Sequence, residues 1–148
     1  MTPAAQGQKA QEELEYWLEK GHELYRHYSY AIKEKGYNKA AFELHQATES
    51  YYTAILLVFT DYKPRKHNLK KLGKQAVSID ARFQEVFPLR NRKEKELFQL
   101  LKKAYIDARY KKDYHIGEEA LTYLGERVQL LAQLTQAICQ QEIARLKG

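Results

Sequence analysis

The chain has 148 residues, 44% of them hydrophobic, and a formal net charge of +6, which sets one domain with a single core. Seven glycines and three prolines against many Leu, Ala, Glu, Lys and Gln favour helices over strands. No apolar run nears the roughly 20 residues of a membrane span or a signal peptide's apolar core, and a lone Cys139 excludes an internal disulfide, so a reducing cytoplasm is predicted.

Met1 to Lys9 carries no periodic pattern and is predicted as a disordered tail, leaving residues 10–148 as one helical domain. From Leu14 the positions Leu14, Trp17, Gly21, Leu24, Tyr28 and Ala31 step by three and four, the stripe of an amphipathic helix. Gly36 is expected to stop it and Asn38 to cap the next helix. There Ala41, Leu44, Thr48, Tyr51, Ile55 and Val58 form one stripe, and Phe42, His45, Tyr52, Leu56 and Phe59 an adjacent one. Two such faces predict the central, most buried helix. Asp61 to Pro64 breaks it, and a short helix with Leu69, Leu72 and Val77 follows over roughly Asn68 to Ser78.

Ile79 to Arg92 reads as an ordered loop with one turn. Asn91 with Glu94 has the form of a capping box and opens a helix bearing Leu97, Leu101, Ala104 and Ala108, expected to fray near Tyr110. Gly117 with Glu118 and Glu119 starts the last helix, acidic where the helix dipole favours it, with Leu121, Leu124, Val128, Leu131, Thr135 and Ile138 on one face. Short connections predict antiparallel neighbours. The expected fold is all-α, an antiparallel up-and-down bundle of four long helices plus one short one.

Charge is concentrated. Lys63 to Lys112 holds 16 Lys/Arg against 5 Asp/Glu, a net of +11; the remainder holds 9 against 14, a net of −5. A basic middle suits a polyanionic partner, RNA or nucleotide phosphates, although basic runs also simply solvate helix faces. Lys63, Arg65, Lys66, Lys70 and Lys71, with His67 and Lys74, surround the start of the short helix and form the candidate basic patch.

Ala104 to Ile116 is the chemically richest stretch, with Arg109, His115, Tyr105, Tyr110, Tyr114, Asp107, Asp113, Lys111 and Lys112. Arginine grips phosphate and histidine moves protons near neutral pH. Six apart on a continuous helix, Arg109 and His115 would point about 120° apart; a helix end and turn would let both face one site. The alternative is that Arg109 caps a helix end. Tyr110 and Tyr114 are candidates for stacking on a base, whereas Tyr51, Tyr52, Tyr105 and Tyr123 fall on helical stripes. His45 and Glu49, one turn apart, pair within the most buried helix and could line the same site. His22 and His27 are five apart, point away from each other and are read as surface residues; no metal or cofactor is predicted.

The run K-A-A-F-E-L-H-Q-A-T-E-S-Y-Y-T-A-I-L-L-V-F, then H-N-L-K-K-L and Y-I-D-A-R-Y, resembles a HEPN domain over about Lys39 to Cys139. Within that family it is most similar to the C-terminal domain that follows a bacterial nucleotidyltransferase domain. The resemblance implies a helical bundle that forms a homodimer, with a nucleotidyltransferase domain or an antitoxin protein as further partners. It also implies one of three activities. The first is binding of nucleotide or RNA phosphates around Arg109, for which the residues themselves offer His45, Glu49, Tyr105, Asp107, Tyr110, Lys111, Lys112 and Tyr114 as lining. Alternatively the chain is a metal-independent endoribonuclease, toxin-like, with the family's R-x(4–6)-H pair at Arg109 and His115. The third option is a dimerisation scaffold. Catalytic members usually carry a polar residue such as Asn directly after the arginine, where this chain has Tyr110, and A-R-Y resembles the non-nuclease branch.

Overall fold

The computed structural model describes residues 1–65 and 67–148, so the expected contribution of Lys66 to the basic patch lies outside the described residues. The elements are α1 (Pro3–Lys33), α2 (Tyr37–Thr60), α3 (Leu69–Ile79), a 3-10 turn (Ala81–Glu85), α4 (Arg92–Lys103), the single-turn α5 (Asp107–Tyr110) and α6 (Glu118–Lys147). The fold is an all-helical bundle, as the periodicity predicts.

Helix α2 buries fourteen of its 24 residues and is the central helix expected from its two apolar faces. Leu14, Leu44, Ile55, Leu121, Leu124 and Leu131 are fully enclosed. Each such side chain contributes about 1.5–3 kcal/mol through water release. His22 of α1 meets Tyr51 of α2, and Tyr28 of α1 meets Leu121 of α6. His27 lies farther along α1 near Glu43, earlier in α2, and Gly7 at the start of α1 meets Lys147 at the end of α6, so α1 runs antiparallel to both α2 and α6. Packing is close enough to need glycine: a Cβ on Gly21 would sit 2.4 Å from the Tyr51 ring, and one on Gly125 would sit 2.1 Å from the Tyr28 hydroxyl oxygen.

Four local expectations are revised. The chain is helical from Pro3, where a tail is predicted: the Thr2 hydroxyl accepts from the Ala5 N–H at 3.1 Å, and proline suits the first helical position. Gly7 and Ala10 are buried, Gly7 against Lys147 near the end of α6, and Lys9 pairs with Asp61 at 2.8 Å. These are long-range contacts that no local pattern announces. Between α1 and α2 the left-handed residue is Lys35 (φ 62°), and Gly36 rather than Asn38 holds the cap position of α2. Asn38 instead donates its side-chain amide to the Tyr114 carbonyl at 3.1 Å.

The fourth revision concerns α4, which ends at Lys103 instead of fraying near Tyr110; a turn at 104–106 then precedes α5. Its start follows the capping-box expectation, since Asn91 accepts from the Glu94 N–H at 2.9 Å. Glu94 reaches back to the Arg90 N–H and guanidinium, one residue further than the usual box. The Ile79–Arg92 connection is ordered around its 3-10 turn, with Phe83 and Val86 buried. No described helix is long and apolar enough to cross a membrane.

Candidate functional site

On α2, Phe42, His45 and Glu49 are spaced three and four apart and form a stripe along the edge of the bundle. The early end of α4 lets residues 104–110 fold across that stripe. Tyr105 becomes the centre of a stack, its ring centroid 6.1 Å from Phe42, 5.5 Å from His45 and 3.9 Å from His67, the last nearly coplanar at 16°. Tyr105 is half-buried, so it serves as an edge platform and not as the core residue its periodicity suggests.

Glu49 links the stack. His67 Nδ1 lies 2.6 Å from one of its carboxylate oxygens and 3.0 Å from the other. His45 Nδ1 is 3.4 Å from Glu49 but nearer, at 3.2 Å, to the Gln46 side-chain oxygen. The expected His45–Glu49 pair is thus stretched, because His67 draws the carboxylate the other way. His45 is fully buried and its Nε2 has no partner among the described residues. Acceptor oxygens face Nδ1, an arrangement suited to an Nδ1–H donor, and in that tautomer Nε2 is a bare acceptor, a smaller burial cost than an orphaned donor.

Arg109 lies over this platform. Its Nε–H donates to the Tyr105 carbonyl at 2.7 Å, which ties the side chain to the turn between α4 and α5 with one of five donors. The guanidinium carbon is 4.5 Å from the Phe42 ring centroid, 4.7 Å from that of Tyr105 and 4.9 Å from that of Tyr110. Among the described residues its terminal nitrogens meet no acceptor, and Arg109 is exposed. A guanidinium set against aromatic rings with its terminal nitrogens open has the donors for a two-point contact with phosphate.

The remaining expected residues divide. Tyr110 is 72% exposed beside Arg109, and Lys111 and Lys112 stand exposed just beyond it. Asp107 is half-buried in the first turn of α5. Lys63, Arg65, Lys70 and Lys71 are exposed before and within the start of α3, where Asn68 accepts from the Lys71 N–H at 3.0 Å and already satisfies one of the helix's free amides. Tyr114 does not join the surface. It is buried, donates its hydroxyl to the Leu100 carbonyl at 2.8 Å, and burial pushes that hydroxyl well above its ordinary pKa. Tyr114 and Ile116 are buried on either side of exposed His115, so this stretch turns His115 outward; no hydrogen bond or ion pair joins His115 to Arg109 among the described residues.

Phe42 escapes sequence reasoning, because its stripe reads as core; His67 is expected in the basic patch, and its place on the Tyr105 stack is what no periodicity predicts. His22 also differs from expectation, being half-buried with Nδ1 2.8 Å from the Tyr51 hydroxyl, while exposed His27 lies 3.7 Å from Glu43.

An all-helical bundle with a central double-faced helix and an arginine laid across its edge defines a compact class of α-helical domains. The HEPN domain model matches residues 14–137, and the chain belongs to the HEPN domain family. No curated protein matches the chain.

Proposed function

We propose that this HEPN domain binds nucleotide or RNA phosphates through the surface around Arg109, as a homodimeric module that serves a nucleotidyltransferase. One observation carries the reading. Arg109 is pre-oriented by the Tyr105 carbonyl and three aromatic rings, so little side-chain entropy remains to be lost when its open edge meets a phosphate. Exposed Tyr110 offers a stacking face, and Lys111 and Lys112 add long-range attraction. Family membership supports a nucleotide- or RNA-directed role.

The test is binding of a labelled single-stranded RNA across a salt series, with Arg109→Ala and Arg109→Lys beside wild type. Arg109→Ala should weaken binding about tenfold or more, and Arg109→Lys should recover only part, since lysine keeps the charge and loses the fork. Affinity should fall steeply with salt. Binding that Arg109→Ala leaves intact would refute the reading. Cleavage of the RNA in EDTA, lost in both Arg109→Ala and His115→Ala, would favour the endoribonuclease instead. A dimer with no binding at all would leave the scaffold.

A further inference from the structure

A cleft of about 660 Å³ opens between α1, α2 and the connection that follows α2. Glu49 and His67 form the wall it shares with the Tyr105 stack. Trp17, the chain's single tryptophan, is half-buried in its lining. The Lys20 amine lies 5.2 Å and the Lys63 amine 5.0 Å from the Trp17 ring centroid, and Arg65 stands at the rim.

The charges of this cleft are unbalanced in one direction. Its two acids are engaged, Asp61 by Lys9 at 2.8 Å and Glu49 by His67 at 2.6 Å. Among the described residues no carboxylate lies within ion-pair distance of Lys20, Lys63 or Arg65. Two amines beside an indole, neither in an ion pair among the described residues, with Arg65 lining the same cleft, complement a ligand that joins a flat aromatic ring to an anion. Lys20 also borders the glutamates of the neighbouring α1 surface. Exposed cation–π contacts are weak, so the two amines are free to move from the ring to a phosphate while a base takes their place. Along α2, the Ser50 and Thr53 hydroxyls donate to the carbonyls of Gln46 and Glu49, which leaves their oxygens as acceptors for a base or ribose.

We propose that this cleft is a second binding site, for a nucleoside phosphate, with the base stacked on Trp17 and the phosphate held by Lys20, Lys63 and Arg65. It goes beyond the Arg109 surface, with which it shares the Glu49–His67 wall, and it offers a half-open hollow beside Trp17 for the base.

Trp17 reports on its own occupancy. Titration with AMP, GMP and CMP should quench tryptophan fluorescence saturably, and ribose 5-phosphate, which has no base, should not. The Lys20→Ala, Lys63→Ala double variant should bind nucleotides about tenfold or more weakly, because two phosphate contacts are lost. Calorimetry on Trp17→Leu should show a comparable loss, and Trp17→Phe should retain binding. Arg109→Ala should leave the quenching unchanged. No saturable quenching, equal quenching by ribose 5-phosphate, or quenching that depends on Arg109 and not on Lys20 and Lys63 would each overturn the site. RNA binding that requires Arg109 stands or falls separately in the RNA assay.

Discussion

The imidazole of His67 lies flat on the ring of Tyr105, 3.9 Å between centroids, while its Nδ1 rests 2.6 Å from Glu49. Tyr105 therefore serves two masters, since the same ring underlies the Arg109 guanidinium at 4.7 Å. Tyr105→Ala removes both contacts and leaves the backbone carbonyl that holds the Arg109 Nε. Aromatic pairs contribute about 0.5–1.5 kcal/mol beyond area burial, so a destabilisation of about 1–2 kcal/mol is expected in urea unfolding. RNA affinity should fall several-fold, less than for Arg109→Ala; an unchanged affinity would show that the platform does not orient the arginine.

His45 separates stability from function. It is buried with an unpartnered Nε2, so the polar ring pays a desolvation cost that it only partly recovers. His45→Leu should leave stability within about 1 kcal/mol of wild type, whereas His45→Ala, which opens a cavity under Tyr105, should cost about 2–4 kcal/mol. A large loss in His45→Leu, read by chemical denaturation, would mean that the imidazole is structurally indispensable.

The α1–α6 contact depends on Gly125. Tyr28 packs over it and donates to the Leu121 carbonyl at 2.6 Å. Gly125→Ala forces a methyl into the phenol and should destabilise the fold by about 1–3 kcal/mol despite alanine's better helix propensity. Gly117→Ala is the control, since a Cβ there meets nothing within 4 Å. A shift in the melting midpoint for Gly125→Ala no larger than for Gly117→Ala would contradict the packing.

Acid stability carries a signature of the arginine–carboxylate pairs. Hydrogen bonds from Arg90, Arg82 and Arg145 hold the carboxyls of Glu94, Asp80 and Glu142 below their ordinary pKa values. A depressed folded pKa gives stability that is present above the unfolded pKa and is lost as pH falls through the folded one. The decline therefore belongs below about pH 4.5, the ordinary range of these carboxyls. Glu94→Gln should flatten part of that limb and leave the neutral-pH slope unchanged; an identical pH profile would count against the Arg90–Glu94 bond in solution.

What sequence made legible was whatever local periodicity controls. The two stripes of α2 announced its burial, and Asn91 with Glu94 announced the start of α4. Asn38 looked like a cap by residue type, yet its amide went to Tyr114, seventy-six residues away, and no local rule anticipates such a partner. The apolar stripe through Ala104 and Ala108 continued past Lys103 although the helix did not, because residues 104–110 pack across α2 as a turn and one helical turn. Arg109 was identifiable from the A-R-Y motif. His67 was legible only as part of the basic patch, since an aperiodic connection does not say what it stacks on, and Phe42 was legible only as core, from its spacing.

Gly7 against Lys147 places the beginning and end of the chain side by side, and Lys9 on Asp61 fixes that meeting point at the finishing end of α2. Arg109 lies over Phe42, eighteen residues back along the same helix, about 27 Å at 1.5 Å per residue. An affinity tag, a dye or a tether on either terminus would thus emerge from one pole of the bundle, far from the arginine. A linker of a few residues across that pole would also close the chain into a ring, which could be reopened at the Glu34–Gly36 turn as a circular permutant with every helix intact.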